Sequence, residues 1–409
     1  MTSSSGASAD ARTGKWVLLG LCSMANFLVY FHRVTPAVMV NELMAEFGGT
    51  AALIGVLSST YFYAYTAMQI PVGYMTDRLP LRLLIGLGTI LAGISSVLFG
   101  VAGSMGAALV ARTLTGLGVS AVLIPSYKIL SVAFGDRFMM ANGILMAAGA
   151  AGALGASSPL AMLIEAYGWR STFYIIAVAS FVVGALCLAF IRGPWDGRNE
   201  ASRRADRAEV GKGGGALGHL RHALLPGTVT FFKYGPMVAF QGLWGVPFLM
   251  ASYSMTKVAA SQVLFLLSVS TIAGGLLLGP LTSLAKLGQG TLLKASSLLF
   301  MLCWIPMVLR PSAQALSGIY ASMAVMGAAD IIVLISINNY IRRTTTEQVR
   351  GTVLGMTNMM TLLGGAIYQP VMGLFVNGGA SGYTSAFLLC LAGAAISLTA
   401  ALFLSRKLR

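Results

Sequence analysis

Apolar residues run along this chain in long blocks, each closed by a short polar break. A helix needs about 20 mostly apolar residues to cross a bilayer. Blocks of that size fall near 16–44, 51–76, 81–103, 106–133, 138–164, 170–191, 227–252, 258–284, 290–309, 313–341, 348–376 and 383–405, which predicts twelve membrane-spanning helices. Several blocks exceed 25 residues, so they are expected to tilt or to project from the bilayer. The one long polar segment, 192–222, is rich in Gly, Arg and Ala and divides the blocks six and six. Its low apolar content predicts a flexible linker. The expected architecture is an all-α integral membrane protein of two six-helix bundles, 1–191 and 223–409, joined by the cytoplasmic linker 192–222.

Composition agrees with the pattern. Of 409 residues, 56% are hydrophobic and 10% charged, against about 25% charged in soluble domains. A chain this apolar would aggregate in water, so the lipid bilayer is its first expected partner. Cys22, Cys187, Cys303 and Cys390 all lie inside apolar blocks without metal-ligand spacing, and only three histidines are present. No disulfide, metal or cofactor is expected. Residues 1–14 are polar and the first apolar block is too long for a cleaved signal, so no signal peptide is expected.

The net charge of +15 invites a nucleic-acid reading, but its distribution points to topology. With the N-terminus inside, twenty lysines and arginines fall in loops on that side, and three (Arg170, Lys257, Arg310) on the other. The positive-inside rule then places both termini in the cytoplasm of an inner-membrane protein. No nucleic-acid partner is expected, and a monomer is.

The two halves resemble each other. GWRSTF (168–173) returns as GYTSAF (382–387) at an offset of 214, and Gly143 and Gly152 return as Gly355 and Gly364 at an offset of 212. Matching glycines at nearly one offset favour duplication, the layout of many secondary transporters with a site between the repeats.

Two further stretches carry a family resemblance. GYMTDRLPLR (73–82) resembles the signature loop of the major facilitator superfamily, with Pro80 where the family usually has glycine, and RTLTGLG (112–118) resembles its helix-4 pattern. The resemblance implies the twelve-helix fold of that superfamily and transport by alternating access. It implies a cytoplasmic gate at Gly73, Asp77, Arg78 and Arg82, with Lys128 pairing there or snorkelling to water. It also implies a proton-coupling or substrate-charge role for Arg112, against the alternative of a buried arginine capping carbonyls. The Gly-Pro antiporter signature is missing from GALGASSP (152–159), and the second loop copy (279–290) keeps only Lys286.

An ionisable group inside a span costs about 2.5–3.5 kcal/mol even on the lenient scale and marks a candidate site. Arg33 shares a helical face with Asn26, Tyr30, Ala37 and Asn41, a polar or small stripe that faces protein or water. Lys233 shares a face with Gln241 and Trp244 in a stretch where unwinding is expected, FQGLWGVP (240–247). Arg33, Tyr30, Asn26, Gln241, Trp244, Lys233 and Tyr65 are the candidate substrate-binding residues. Lys233 could instead snorkel, and Asn26 could serve as glue between helices. Asp330, Arg112 and His32 are the candidate proton-coupling residues. Asp330 could instead pair with a base.

Four basic groups against one acid favour an anion in a low-dielectric cavity. The expected function is a secondary active transporter moving a small organic anion, a carboxylate, by proton symport. Amino acids or short peptides are the near alternative, followed by a multidrug/proton antiporter. An enzyme finds no metal set, nucleotide loop or serine–histidine arrangement in the sequence. A non-transporting sensor would need a signalling domain or tail.

Overall fold

The structure, a computed structural model, describes residues 4–76, 78–193, 216–284, 288–309, 316–345, 347–376 and 380–406. Every regular element among them is helical. The first half contains α1 (Ser4–Val34), a 3-10 turn (Thr35–Val38), α2 (Val40–Phe47), α3 (Ala51–Ala67) and α4 (Gln69–Thr76). It continues with α5 (Leu81–Gly100), α6 (Met105–Phe134), α7 (Phe138–Gly155) and α8 (Ser158–Phe190). The second half contains α9 (Ala216–Ala239), a π-helical turn (Phe240–Trp244), α10 (Gly245–Tyr253) and α11 (Lys257–Leu284). It ends with α12 (Gln289–Leu302), α13 (Ile305–Val308), α14 (Leu316–Thr344), α15 (Glu347–Val376) and α16 (Ala380–Arg406).

The expected count of twelve spans is corrected. Among the described residues nine helices are long and apolar enough to cross a membrane, or ten if one bent pair is a single span. Three local features account for the difference. The blocks 138–164 and 170–191 merge into one stretch, Met140–Phe190, interrupted by the non-helical backbone of Gly168 (φ 77°). The block 51–76 breaks between α3 and α4, and α3 qualifies only together with α2, to which it is bent by 113°. The block 227–252 is interrupted by the π-helical turn, and neither α9 nor α10 qualifies alone. Apolar content alone does not register such breaks, because each one is local backbone geometry inside an apolar run.

The chain forms two compact units. The first comprises Met1–Val34 and Tyr63–Arg203, the second Thr35–Phe62 and Arg204–Arg409. In the first, α5 packs on α6 and α8, and α1 on α7. In the second, α9 packs on α15, α11 on α14, and α12 on α14 and α16.

Of the two repeated glycine pairs, Gly152 and Gly364 have the same physical job in their units, whereas a Cβ at Gly143 or Gly355 would meet nothing within 4 Å. A Cβ at Gly152 would overlap the Phe27 carbonyl, and one at Gly364 would lie 2.5 Å from the Phe231 carbonyl oxygen. Each glycine admits the backbone of the first long helix of its own half, as small residues do at close crossings within membranes. Gly152→Ala should therefore destabilise the protein by about 1–3 kcal/mol, the usual cost of overpacking. Thermal unfolding in detergent reads this, and an unchanged midpoint would contradict the close crossing.

The repeated aromatic motif also closes like contacts. Arg170 donates to the carbonyls of Gly100 (2.8 Å) and Ala102 (3.0 Å), capping α5, and lies 4.4 Å from the Trp169 ring centroid. Phe173 stacks on Phe99 at 4.5 Å. In the second copy Phe387 lies 6.1 Å from Trp304, just past the end of α12. The second unit also pairs Glu42 of α2 with Lys257 at the start of α11.

Candidate functional site

The stretch HRVTP explains how the first helix ends. Pro36 has no N–H, so the carbonyl of His32, four residues earlier, has no intrahelical donor, and the proline ring crowds it. The helix α1 stops at Val34 and a 3-10 turn follows. Arg112, buried at 2% exposure, fills the gap, its Nη1 donating to the His32 carbonyl at 2.9 Å. The same arrangement recurs at the other end of α6. The Thr76 carbonyl ends α4 four residues before Pro80, and Lys128 Nζ donates to it at 3.0 Å. Two cations on one helix thus each serve a carbonyl at or near a helix end, four residues before a proline.

Around the break, the α1 residues separate by depth. Asn26 is fully buried, and its Nδ2 donates to the Leu145 carbonyl of α7 at 2.8 Å. The His32 ring is buried, with Nε2 3.2 Å from Ser180 Oγ of α8. Tyr30 and Arg33 are half-buried, and the guanidinium lies 4.0 Å from the Tyr30 ring centroid, in cation–π range. Asn41 stands outside the expected stripe. The helical register that would align it with Arg33 stops at Val34, and Asn41 is exposed on α2, its Nδ2 3.9 Å from Met250 Sδ.

In the second unit Lys233 does not snorkel. Its Nζ lies 2.7 Å from Asp330 Oδ1 and donates to the Asp330 carbonyl at 2.9 Å, joining α9 to α14. The two side chains are 2% and 10% exposed. Trp244 is fully buried, and its indole N–H donates to the Gln369 carbonyl at 2.9 Å. Gln241, in the π-helical turn, donates from Nε2 to Ser268 Oγ at 2.9 Å. Gln369 is fully buried and accepts from Ser59 at 3.4 Å. Neither Gln369 nor Ser59 was among the expected site residues. A polar pair 310 positions apart leaves no local pattern to read.

Of the expected gate, Gly73 is half-buried in α4, and no described atom outside its own turn lies within 4 Å of a Cβ built there. Arg78 is exposed, its guanidinium 3.2 Å from the Tyr74 ring centroid. Arg82 is half-buried at the start of α5. Asp77 and Lys286 lie outside the described residues. Tyr65 is buried in α3, and its carbonyl accepts from Gln69 Nε2 at 3.2 Å.

The charged side chains buried among the described residues are Arg112, Lys233 and Asp330. Lys233 and Asp330 cancel within the second unit. In the first, Arg112 is joined by half-buried Arg33 and Lys128 with no buried acid among the described residues. Among the described residues the buried and half-buried charges of the first unit are thus all cationic, and Arg33 and Lys128 are among the half-buried ones.

Helices of spanning length and a few buried charges define a multi-pass membrane protein. The family model of the Major Facilitator Superfamily matches residues 22–369, and the chain belongs to that superfamily. Over 165 residues it is 30% identical to sodium-dependent phosphate transport protein 1 of Arabidopsis thaliana, covering 39% of this chain and 32% of that protein. Over 169 residues it is 30% identical to a probable sulfoacetate transporter of Cupriavidus necator, covering 40% and 38%. The matched segments thus span about a third of those relatives' own lengths. Among solved structures, a bacterial homologue of the human lysosomal transporter Spinster, inward-facing and unoccupied, superposes with a TM-score of 0.76. The sequence identity is 18%, over 97% of this chain and 98% of that one.

Proposed function

We propose that the protein is a secondary active transporter that moves a small organic anion across the cytoplasmic membrane by alternating access, in symport with protons. The observation that carries this is the charge balance. The second unit's buried acid and base cancel, whereas the buried charge of the first, among the described residues, is the cation Arg112, with Arg33 half-buried nearby on α1. A cation inside low-dielectric surroundings is stabilised by an anion far more than by a neutral solute. Arg33, half-buried and within cation–π range of Tyr30, carries a planar guanidinium suited to a carboxylate, sulfonate or phosphate. The relatives named for phosphate and sulfoacetate transport support an anionic solute of this kind.

Asp330 is the acid we assign to coupling, exchanging its ion pair with Lys233 for a proton during the cycle. The distribution of lysines and arginines supports cytoplasmic termini.

Uptake into proteoliposomes tests the class. With an inward proton gradient, labelled sulfoacetate or succinate should accumulate and the neutral amide of succinate should not. Equal uptake of the neutral amide would contradict an anion carrier. Chemical alteration of the solute would point to an enzyme, and binding without accumulation to a sensor.

A further inference from the structure

Tyr127 on α6 was not among the expected site residues. It is half-buried, and its phenol donates to Met146 Sδ of α7 at 3.8 Å, the hydrogen bond its hydroxyl makes among the described residues. A thioether is a weak acceptor. A partly buried hydroxyl held by so poor a partner gains little from the contact, and phenylalanine would fill the same space without a polar group to satisfy.

The neighbourhood ties this hydroxyl to Arg33. Tyr30 lies against α7 at Gly149, where an added Cβ would come within 2.8 Å of its ring, and the Arg33 guanidinium lies 4.0 Å from the centroid of that ring. Met146 and Gly149 are three residues apart on α7, hence on one face and separated by about 4.5 Å along the axis. The phenol of Tyr127 and the Tyr30 ring that carries Arg33 therefore meet α7 about one turn apart, and Tyr127 and Arg33 are both half-buried residues of the first unit.

We infer that Tyr127 is a specificity-determining substrate contact. Its hydroxyl leaves the Met146 sulfur to donate to a second oxygen function of the anion that Arg33 holds. The favoured substrates are then small molecules carrying two oxygen-bearing groups, such as dicarboxylates, sulfocarboxylates or hydroxy acids. A hydrogen bond to an ionised oxygen is short and strong compared with one to a thioether, so the exchange is favourable whenever such a group is present.

The inference rests on the proposed anion transport, and the test separates the two. Equilibrium binding of succinate and of butyrate, equal in chain length and differing in the second carboxylate, is measured on purified wild type and Tyr127→Phe. Thermal unfolding of the variant serves as the check on folding. The wild type should prefer succinate. The variant should unfold like the wild type and lose about tenfold in succinate affinity, with butyrate affinity unchanged. A wild type that binds succinate and a variant that binds it equally well would overturn the role of Tyr127 alone, as would equal wild-type affinity for both acids. A wild type that binds neither acid would overturn the anion reading and this inference with it.

Discussion

Asp330→Ala should cost about 3–5 kcal/mol of folded stability, because it strands the Lys233 ammonium in the interior of the second unit. Lys233→Ala should do comparable damage by stranding the carboxylate. The double variant Lys233→Leu with Asp330→Leu should restore most of the loss, since apolar side chains of similar volume commonly replace a buried pair at little or no cost. The geometry supports this. Nζ of Lys233 reaches both the carboxylate and the main-chain carbonyl of Asp330, so the ammonium is well satisfied while both partners are present. Thermal unfolding and yield of monodisperse protein in detergent read the stability. If Asp330 also carries the coupled proton, the rescued double variant should exchange substrate across liposomes yet fail to accumulate it against a pH gradient. A double variant as unstable as the singles would contradict the pair.

Arg112→Leu should destabilise the protein by about 1–3 kcal/mol, the cost of leaving a buried carbonyl without a donor. The loss should shrink when Pro36 is replaced by alanine. Alanine returns an N–H four residues after His32, so its carbonyl no longer depends on the guanidinium. In a double-mutant cycle on unfolding, Arg112→Leu should cost about 1 kcal/mol less in the Pro36→Ala background than in the wild type. Additive effects would mean that the Arg112 contact with His32 is incidental.

Much of the fold was legible in the sequence because bilayer thickness is a coarse ruler that apolar block length satisfies or fails. One matched pair was legible too, since Gly152 and Gly364 recur for a packing reason that tolerates no side chain, which Gly143 and Gly355 do not share. The span count was not legible. Gly168, the break after Ala67 and the π-helical turn at Phe240–Trp244 are all local backbone changes inside uniformly apolar runs. The geometry of the candidate site was legible in part. An arginine in a span identifies itself, and Pro36 was visible, but the helical stripe from Asn26 to Asn41 presumed a register that Pro36 ends. Partnerships were the least legible. That Lys233 meets Asp330, 97 positions away, follows from the packing of α9 and α14 and from nothing near either residue. Tyr127 passed unnoticed because a tyrosine in a membrane helix is ordinary until its hydroxyl is found on a sulfur.

Counterflow exchange of labelled sulfoacetate, with saturating unlabelled compound inside the liposomes and no pH gradient, isolates substrate recognition from coupling. Compared by this measurement, Arg33→Gln should fold with a near-normal unfolding midpoint and exchange at no more than a few per cent of the wild-type rate. Exchange at the full wild-type rate by that variant would show that the cation of the first helix does not hold the anion.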